Sequence, residues 1–282
     1  MQLIDGKSLA NKIYESVGKS VEILKQEMNI VPGLAVILIG DDPASHAYVK
    51  MKAKACEKVG FYSITHHMPD SISQDEIIGT IAMMNDNPRI DGILVQLPLP
   101  AHIDTDKIIE VIDPKKDVDG FHPYNVGRLV IGLDGFVACT PLGVMRMLEA
   151  YDISIQGKNV CIVGASNIVG KPMASLLLNA NATVTIAHIH TKDLKAHTLA
   201  ADIVIVGVGV PSLIKEDMIK QGVIVIDIGI NRIANGSLVG DVDFQAVSKK
   251  CSYITPVPGG VGPMTIATLL ENTLKSAKKR ET

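Results

Sequence analysis

The chain has 282 residues, of which 47% are hydrophobic and 20% charged, with a formal net charge of −3. That composition describes a globular protein of one large or two ordinary α/β domains and excludes a disordered or basic nucleic-acid-binding chain. Trp is absent and aromatic residues make up only 4%, which argues against a base-stacking or sugar-stacking surface. No apolar run approaches the ~20 residues of a membrane span, and Met1–Gly6 lacks the basic start and apolar core of a signal peptide. The four cysteines (Cys56, Cys139, Cys161, Cys251) are scattered without a C-x-x-C pair and read as reduced core residues of a cytoplasmic protein.

In chain order, Leu9, Ile13, Val17, Val21, Leu24 and Met28 recur at helical spacing. Pro32-Gly33 ends that helix, and Leu34–Ile39 is a continuous apolar run of the kind expected in a parallel strand buried on both faces. After Gly40-Asp41-Asp42-Pro43 a second helix runs from Ser45 to Gly60, its C′ residue. Wound at about 100° per residue, it places Ser45, Tyr48, Val49, Lys52, Ala55, Cys56 and Val59 on one face and Lys50, Lys54, Glu57 and Lys58 on the other. Lys52 is thus the lysine of the apolar stripe. Either its stem packs on the core with the amine in water, or the amine is desolvated and serves as a base or proton relay.

Ser63–Met68 is a weaker strand, Ser73-Gln74-Asp75-Glu76 carries a capping-box pattern that starts a helix ending near Pro88, and Gly92–Val95 is a third strand that delivers Gln96. A short helix through Ile108 and Ile112 leads to Asp113–Phe121, a turn-forming stretch holding Asp117 and Asp119. The alternation of strands and helices predicts a parallel sheet, whose ligands bind beyond the C-terminal strand ends. Cys139-Thr140-Pro141 reads as a helix entry with Thr140 as N-cap and Pro141 at N1. The domain boundary falls near the helix that follows.

The next run is Val160–Val163, then Gly164-Ala165-Ser166-Asn167-Ile168-Val169-Gly170-Lys171-Pro172, then a helix through Leu178. A strand, a Gly-rich turn and a helix N-terminus suit a dinucleotide phosphate, although the spacing is G-x-S-x-x-x-G and not G-x-G-x-x-G. Thr183–Ala187 is the following strand. Its end reads His188-Ile189-His190-Thr191-Lys192, without the carboxylate that would hold ribose hydroxyls and repel a 2′-phosphate. Strands at Ile203–Val206 and Val223–Ile228 continue a Rossmann-like series. Near the end, Thr255–Met264 is a stiff Pro- and Gly-rich loop suited to close approach to a flat ligand, between a strand at Tyr253-Ile254 and a helix through Leu269 and Leu274.

Together Ser45-x-x-Tyr48-x-x-x-Lys52, Val95–Pro100, Lys116–Gly120, Cys139-Thr140-Pro141, Gly164-Ala165-Ser166-x-x-Val169-Gly170-x-Pro172, Asp227–Asn231 and Pro256–Thr265 resemble the bifunctional methylenetetrahydrofolate dehydrogenase/methenyltetrahydrofolate cyclohydrolases over nearly the whole chain. The resemblance implies two α/β domains with a cleft between them. A folate-binding domain comprises residues 1–140 and 263–282 around a three-layer parallel sheet, and a Rossmann-like NADP-binding domain comprises 141–262. It further implies NADP as cofactor, a folate substrate, a homodimer, no metal, and no nucleic-acid or membrane partner. By the same resemblance Tyr48 packs on the folate rings, Lys52 moves protons in the hydrolysis, Gln96 holds its amine, and Asp119 accepts from the pterin. Ser45, Val95, Leu97 and Pro258, Gly259, Gly260, Val261 and Gly262 complete the substrate site. Thr140, Gly164, Ala165, Ser166, Gly170, Ile189 and Ile230 contact the cofactor. Many members carry Arg where this chain has Ala165. His66-His67 and His188-x-His190 lack a third ligand at metal-site spacing.

Two other readings compete. Short-chain dehydrogenases also use Tyr-x-x-x-Lys, but after the nucleotide turn within one domain, whereas Tyr48 and Lys52 precede Gly164 by more than a hundred residues. A nucleotide-sensing protein without chemistry would explain Gly164–Gly170 but not an inward-facing Lys52 beside Gln96 and Asp119.

Overall fold

The computed structural model describes residues 1–234 and 236–281. In chain order its elements are β1 (Gln2–Leu3), α1 (Gly6–Met28), β2 (Gly33–Ile39), α2 (Pro43–Val59), β3 (Tyr62–Met68), α3 (Gln74–Asp86), β4 (Gly92–Val95), α4 (Thr105–Val111), α5 (Pro123–Val130), α6 (Cys139–Ala150) and β5 (Asn159–Val163). There follow α7 (Gly170–Asn179), β6 (Thr183–Ala187), α8 (Leu194–Ala200), β7 (Ile203–Val206), β8 (Ile224–Asp227), β9 (Asn231–Arg232), β10 (Leu238–Val239), α9 (Phe244–Val247), β11 (Tyr253–Ile254) and α10 (Val261–Lys278). The chain divides into two compact units. One comprises Asn11–Cys139 with Ile266–Thr282, the other Met1–Ala10 with Thr140–Thr265.

The first of these is built on a three-stranded parallel sheet in the order β3-β2-β4. Every residue of β2 is buried, as its unbroken apolar sequence requires of a central parallel strand. Leu34, Val36 and Leu38 face a cluster with Val17, Val21, Cys56, Leu269 and Leu270, while Ala35, Ile37 and Ile39 face Ile77, Ile81, Ile93 and Ile108. The period-2 alternation thus feeds helices on both faces. The helix ends follow local chemistry. Asp42 caps α2 by accepting from Ser45 N at 2.7 Å, Pro43 occupies its first turn, and Gly60 ends it at φ 80°. Ser73 and Glu76 close the reciprocal capping box of α3.

The second unit holds a six-stranded parallel sheet in the order β1-β11-β8-β7-β5-β6. From β5 the chain moves outward to β6 and then returns across to β7, so the strand order reverses between β5 and β7. Here the structure departs from the expected boundary. Residues 1–10 belong with the six-stranded sheet, because Gln2 and Leu3 pair with Tyr253 and Ile254 and extend its edge. Two residues at the chain start, one polar and one apolar, are too few to carry a periodicity that would announce an edge strand. Thr140 also departs from the expected N-cap role. Helix α6 already includes Cys139, and the Thr140 hydroxyl is bonded to that of Thr265 at 2.9 Å.

Candidate functional site

Three chain segments leave the three-stranded sheet at its C-terminal edge. After β2 the chain turns into α2. After β4 it passes into Gln96, whose N–H donates to Ile37 O at 2.9 Å. Alongside β4, Asp117 forms a parallel bridge with Ile93, and Ile93 N donates to Lys116 O at 2.8 Å, so Asp119 emerges at that edge as well. Parallel pairing thereby gathers residues far apart in sequence where open α/β sheets bind their ligands.

Lys52 is 8% exposed, whereas Lys50, Lys54 and Lys58 on the same helix are in water. The expected buried face is present, with Tyr48 half-buried at its margin. The Lys52 Nζ donates to Gln96 Oε1 at 3.0 Å. Gln96 Nε2 in turn donates to Leu97 O at 2.9 Å, which fixes the amide so that its oxygen faces the lysine. Burial lowers the Lys52 pKa, opposed chiefly by the negative charge of Asp119. Burial raises that of Asp119, opposed by Lys52 and reinforced by Asp117. The residue as a whole keeps some exposure, but its carboxyl oxygens are enclosed. Burial likewise raises the Tyr48 hydroxyl and pushes the Cys56 thiol up to about 12, so both stay protonated at neutral pH.

The neighbouring acid has a different task. Asp117 is 1% exposed and accepts from Phe121 N, His122 N and Asn125 Nδ2 at 3.2, 2.9 and 2.8 Å. It holds the loop that presents Asp119. Among the described residues no backbone N–H reaches the Asp119 carboxylate, and the Cys139 thiol is its hydrogen-bonding neighbour. Cys139 also lies against Val118 O at 3.3 Å, and Asn272 Nδ2 donates to that same carbonyl at 2.8 Å. Sequence reasoning missed Cys139 and Asn272 as supports of Asp119, and no spacing signal connects them.

In the other unit, the loop after β5 sits beside the point where strand order reverses. Gly164 has φ 122°, and a Cβ there would lie 2.6 Å from Gly207 O, so the β5 and β7 ends approach as only glycine permits. Ser166 Oγ accepts from Val169 N and Gly170 N at 3.1 and 3.4 Å and closes the start of α7. The N–H groups of Ala165 to Ile168 have no partner among the described hydrogen bonds. A row of free donors at a switch point, next to a helix N-terminus, fits a dinucleotide pyrophosphate. After β6, His188, Ile189, His190 and Lys192 are exposed, Ile189 at 93%, and no carboxylate occupies 188–192. Ile230, 42% exposed, follows β8 at the same sheet edge. Pro258–Gly262 belong to this unit and not with Lys52, and Lys7 N donates to Gly259 O at 3.0 Å to tie that loop to α1.

An α/β unit with a buried lysine–carboxylate pair, joined to a parallel sheet with a dinucleotide-type loop at its switch point, defines a two-domain nicotinamide-dependent enzyme. Residues 4–119 match the tetrahydrofolate dehydrogenase/cyclohydrolase catalytic domain, and residues 138–281 match the NAD(P)-binding domain of that family. The chain belongs to the tetrahydrofolate dehydrogenase/cyclohydrolase family. It is 82% identical to the bifunctional protein FolD of Sulfurovum sp. over 99% of this chain and 100% of that one. The crystal structure of the Campylobacter jejuni bifunctional FolD superposes with a TM-score of 0.98 at 58% identity, covering 99% of each chain. The Trypanosoma brucei dehydrogenase-cyclohydrolase, complexed with NADP and an inhibitor, superposes with a TM-score of 0.96 at 38% identity, covering 98% of this chain and 97% of that one.

Proposed function

We infer that this chain oxidises 5,10-methylenetetrahydrofolate to 5,10-methenyltetrahydrofolate with NADP⁺ and then hydrolyses the methenyl product to 10-formyltetrahydrofolate. The observation that carries the hydrolytic half is the desolvated Lys52 amine held at 3.0 Å by Gln96. The methenyl carbon is an electrophilic amidinium centre. Water attacks it and loses a proton, and the ring nitrogen takes one up as its C–N bond opens, leaving the formyl group on N10 and a net proton in solution. An amine whose burial disfavours its charged form exchanges protons near neutral pH more readily than a solvated lysine. Gln96 fixes where that exchange happens.

In this reading the folate lies on the Lys52 face. Tyr48 supplies a flat wall, with Ser45, Val95 and Leu97 beside it, and Asp119 accepts from the amide and amino groups of the pterin. The empty acceptor capacity of Asp119 supports that role, since a carboxylate suits two parallel donors. Pro258–Gly262 is assigned to the substrate by resemblance. When bound, NADP⁺ supplies the hydride acceptor. The residues that would hold it are Gly164, Ala165, Ser166 and Gly170 at the pyrophosphate, Ile189 beyond β6, Ile230 and Thr140. The chain's part in the oxidation is to bind and orient, because hydride transfer requires no protein base.

A homodimer and a cytoplasmic setting belong to the same proposal. The family resemblance supports the first. The second is supported by four free, buried cysteines, as expected in a reducing compartment, and no helix among the described residues is long and apolar enough to cross a membrane. Light scattering of the purified chain checks the dimer. The test of function is a coupled assay. NADPH absorbance and methenyl absorbance, followed after adding methylenetetrahydrofolate and NADP⁺, should show NADPH accumulating while methenyl stays low. A nucleotide sensor without chemistry gives neither signal.

A further inference from the structure

We propose that Asp41, His46 and His67 form a surface site for one divalent transition-metal ion of the zinc class. The three residues come from three different elements: the loop after β2, the first turn of α2, and the end of β3. Their ligand atoms lie within 4.8 Å of one another. Asp41 Oδ1 is 3.3 Å from His46 Nε2 and 3.3 Å from His67 Nε2. In a tetrahedral zinc shell with metal–ligand bonds of about 2.0–2.2 Å, neighbouring ligand atoms are about 3.3–3.6 Å apart. Two of the three edges therefore already have the length that a shared ion would impose. The imidazole rings meet edge to face with centroids 5.0 Å apart.

The backbone sets this geometry independently of any ion. Parallel pairing aligns Leu38 with His67 and Ile39 with Met68, and Gly40 N donates to Met68 O at 2.9 Å. The β2–α2 loop is thereby fastened to the end of β3. On its other side Asp42 caps α2 through Ser45 N, and His46 N donates to Asp42 O at 3.0 Å. Asp41 is held between these two anchors. Gly40 O, 3.1 Å from His67 Nε2, is a further oxygen at the site. In the metal-free protein a protonated His67 Nε2 has both Gly40 O and Asp41 Oδ1 as acceptors, and an ion would take the place of that proton.

Ligand type decides which ions bind. Two imidazoles and one carboxylate favour Zn²⁺, Co²⁺, Ni²⁺ or Cu²⁺ over Mg²⁺ and Ca²⁺, which want oxygen donors. The side chains are 84%, 41% and 47% exposed for Asp41, His46 and His67, which leaves room for water and makes the ion exchangeable. An ion here would lock the loop that opens α2, the helix that carries Tyr48 and Lys52 further along. Chain spacing hides the site. No third ligand lies near His67 in sequence, and parallel strand pairing supplies Asp41 from 26 residues upstream.

The experiment is calorimetric titration of Zn²⁺ into chelator-treated, full-length protein, with Co²⁺ absorbance as a probe of tetrahedral coordination. The expected result is one ion per chain. Because loss of outer-shell partners alone weakens metal sites by about 10–100-fold, Asp41→Asn and His67→Gln should each weaken binding by roughly 100-fold or more. His66→Gln, outside the cluster, should not. Zn²⁺ should raise the melting temperature of the wild type but not of Asp41→Asn or His67→Gln, which without metal should melt with the wild type because the replaced side chains lie at the surface. Binding that survives in Asp41→Asn and His67→Gln overturns the site, and so does the absence of micromolar binding by the wild type.

Discussion

Two groups of buried charge, one in each unit, are handled in opposite ways. At the end of β8, Asp227 accepts from Gly229 N, Asp241 N and Val242 N, each at 3.0 Å. Asp241 accepts from Val208 N, Gly209 N and Asn231 Nδ2 at 2.6, 3.0 and 2.8 Å. Both carboxylates are saturated from within, and burial still pushes Asp227 up to about 6. Around Lys52 the amine has one hydrogen-bond partner among the described residues, Gln96, and Asp119 has no backbone donor there. Saturated charges build the frame and have nothing left for a ligand. Unsaturated buried charges cost stability and persist where a ligand completes them. The same contrast separates Asp117 from Asp119 two residues apart, and the N–H groups of Ala165–Ile168, proposed above for the pyrophosphate, are its solvent-facing counterpart in the other unit.

Lys52→Met tests the unsaturated side most severely. It keeps stem length and packing while removing the proton site. Positioned acid–base assistance is worth ~10²–10⁴-fold, so methenyl hydrolysis should fall by that factor while NADPH formation persists and methenyltetrahydrofolate accumulates. Lys50→Met and Lys54→Met, on the solvated face, should leave both rates near wild type. If Lys54→Met matches the damage of Lys52→Met, the contrast between the two faces of α2 collapses.

On the saturated side, Gly240→Ala should affect folding and spare the chemistry. A Cβ at Gly240 would lie 1.8 Å from Asp227 Oδ2, inside the van der Waals contact of a group that cannot retreat from its three N–H donors. Overpacking of this kind typically costs about 1–3 kcal/mol. The melting temperature should drop, while the ratio of oxidation to hydrolysis in the folded fraction stays as in the wild type. A changed ratio with unchanged melting would place Asp227 in the chemistry.

In the proposed binding mode both half-reactions use one pterin anchor, so Asp119→Ala should raise KM for both by a similar factor. Leaving two buried donors without an acceptor costs about 1–3 kcal/mol. The pH dependence has a definite sign. Burial raises the Asp119 pKa, so its carboxylate is lost as pH falls through a value above the usual aspartate range. Folate KM should therefore rise on acidification earlier than an ordinary Asp would dictate, and Asp119→Ala should lack that limb. An identical acid limb in the variant removes Asp119 from the anchor.

Much of this contrast is legible in the sequence. The unbroken apolar run 34–39 reads as a doubly covered parallel strand, and with Gly33 it forms β2, buried throughout. The lone lysine in the apolar stripe of α2 fell at position 52 by helical winding alone, and Gln96 by the end of a strand. What stayed hidden depended on pairings between distant segments. Strand β1 exists only because Tyr253 and Ile254 lie beside it, and Thr140 turns to Thr265 instead of capping its own helix. The proximity of Asp227 to Asp241 likewise follows from the chain returning through β9 and β10. Local periodicity carries no information about which strand edge will be adjacent, so these contacts leave no trace in spacing.

The smallest effect concerns the unsaturated row in the nucleotide unit. NADP⁺ should be preferred over NAD⁺, because 188–192 offers a lysine and two histidines and no carboxylate to repel the 2′-phosphate. Ala165 supplies no guanidinium, which should keep the discrimination modest. Ala165→Arg places a fixed cation at the end of β5, beside free N–H groups and next to the strand pair β5–β6. A charge-assisted hydrogen bond contributes about 1.5–3 kcal/mol when well formed, and exposure to solvent reduces that, so the ratio of kcat/KM for NADP⁺ over NAD⁺ should rise by roughly tenfold. The gain should appear in KM for NADP⁺, with kcat and the hydrolysis rate unchanged, since the new group touches neither the reacting ring nor Lys52. Wild-type preference for NAD⁺ would overturn the reading of 188–192. A variant that loses affinity for both cofactors would show that the side chain at 165 points into the pyrophosphate row instead of toward the 2′-phosphate.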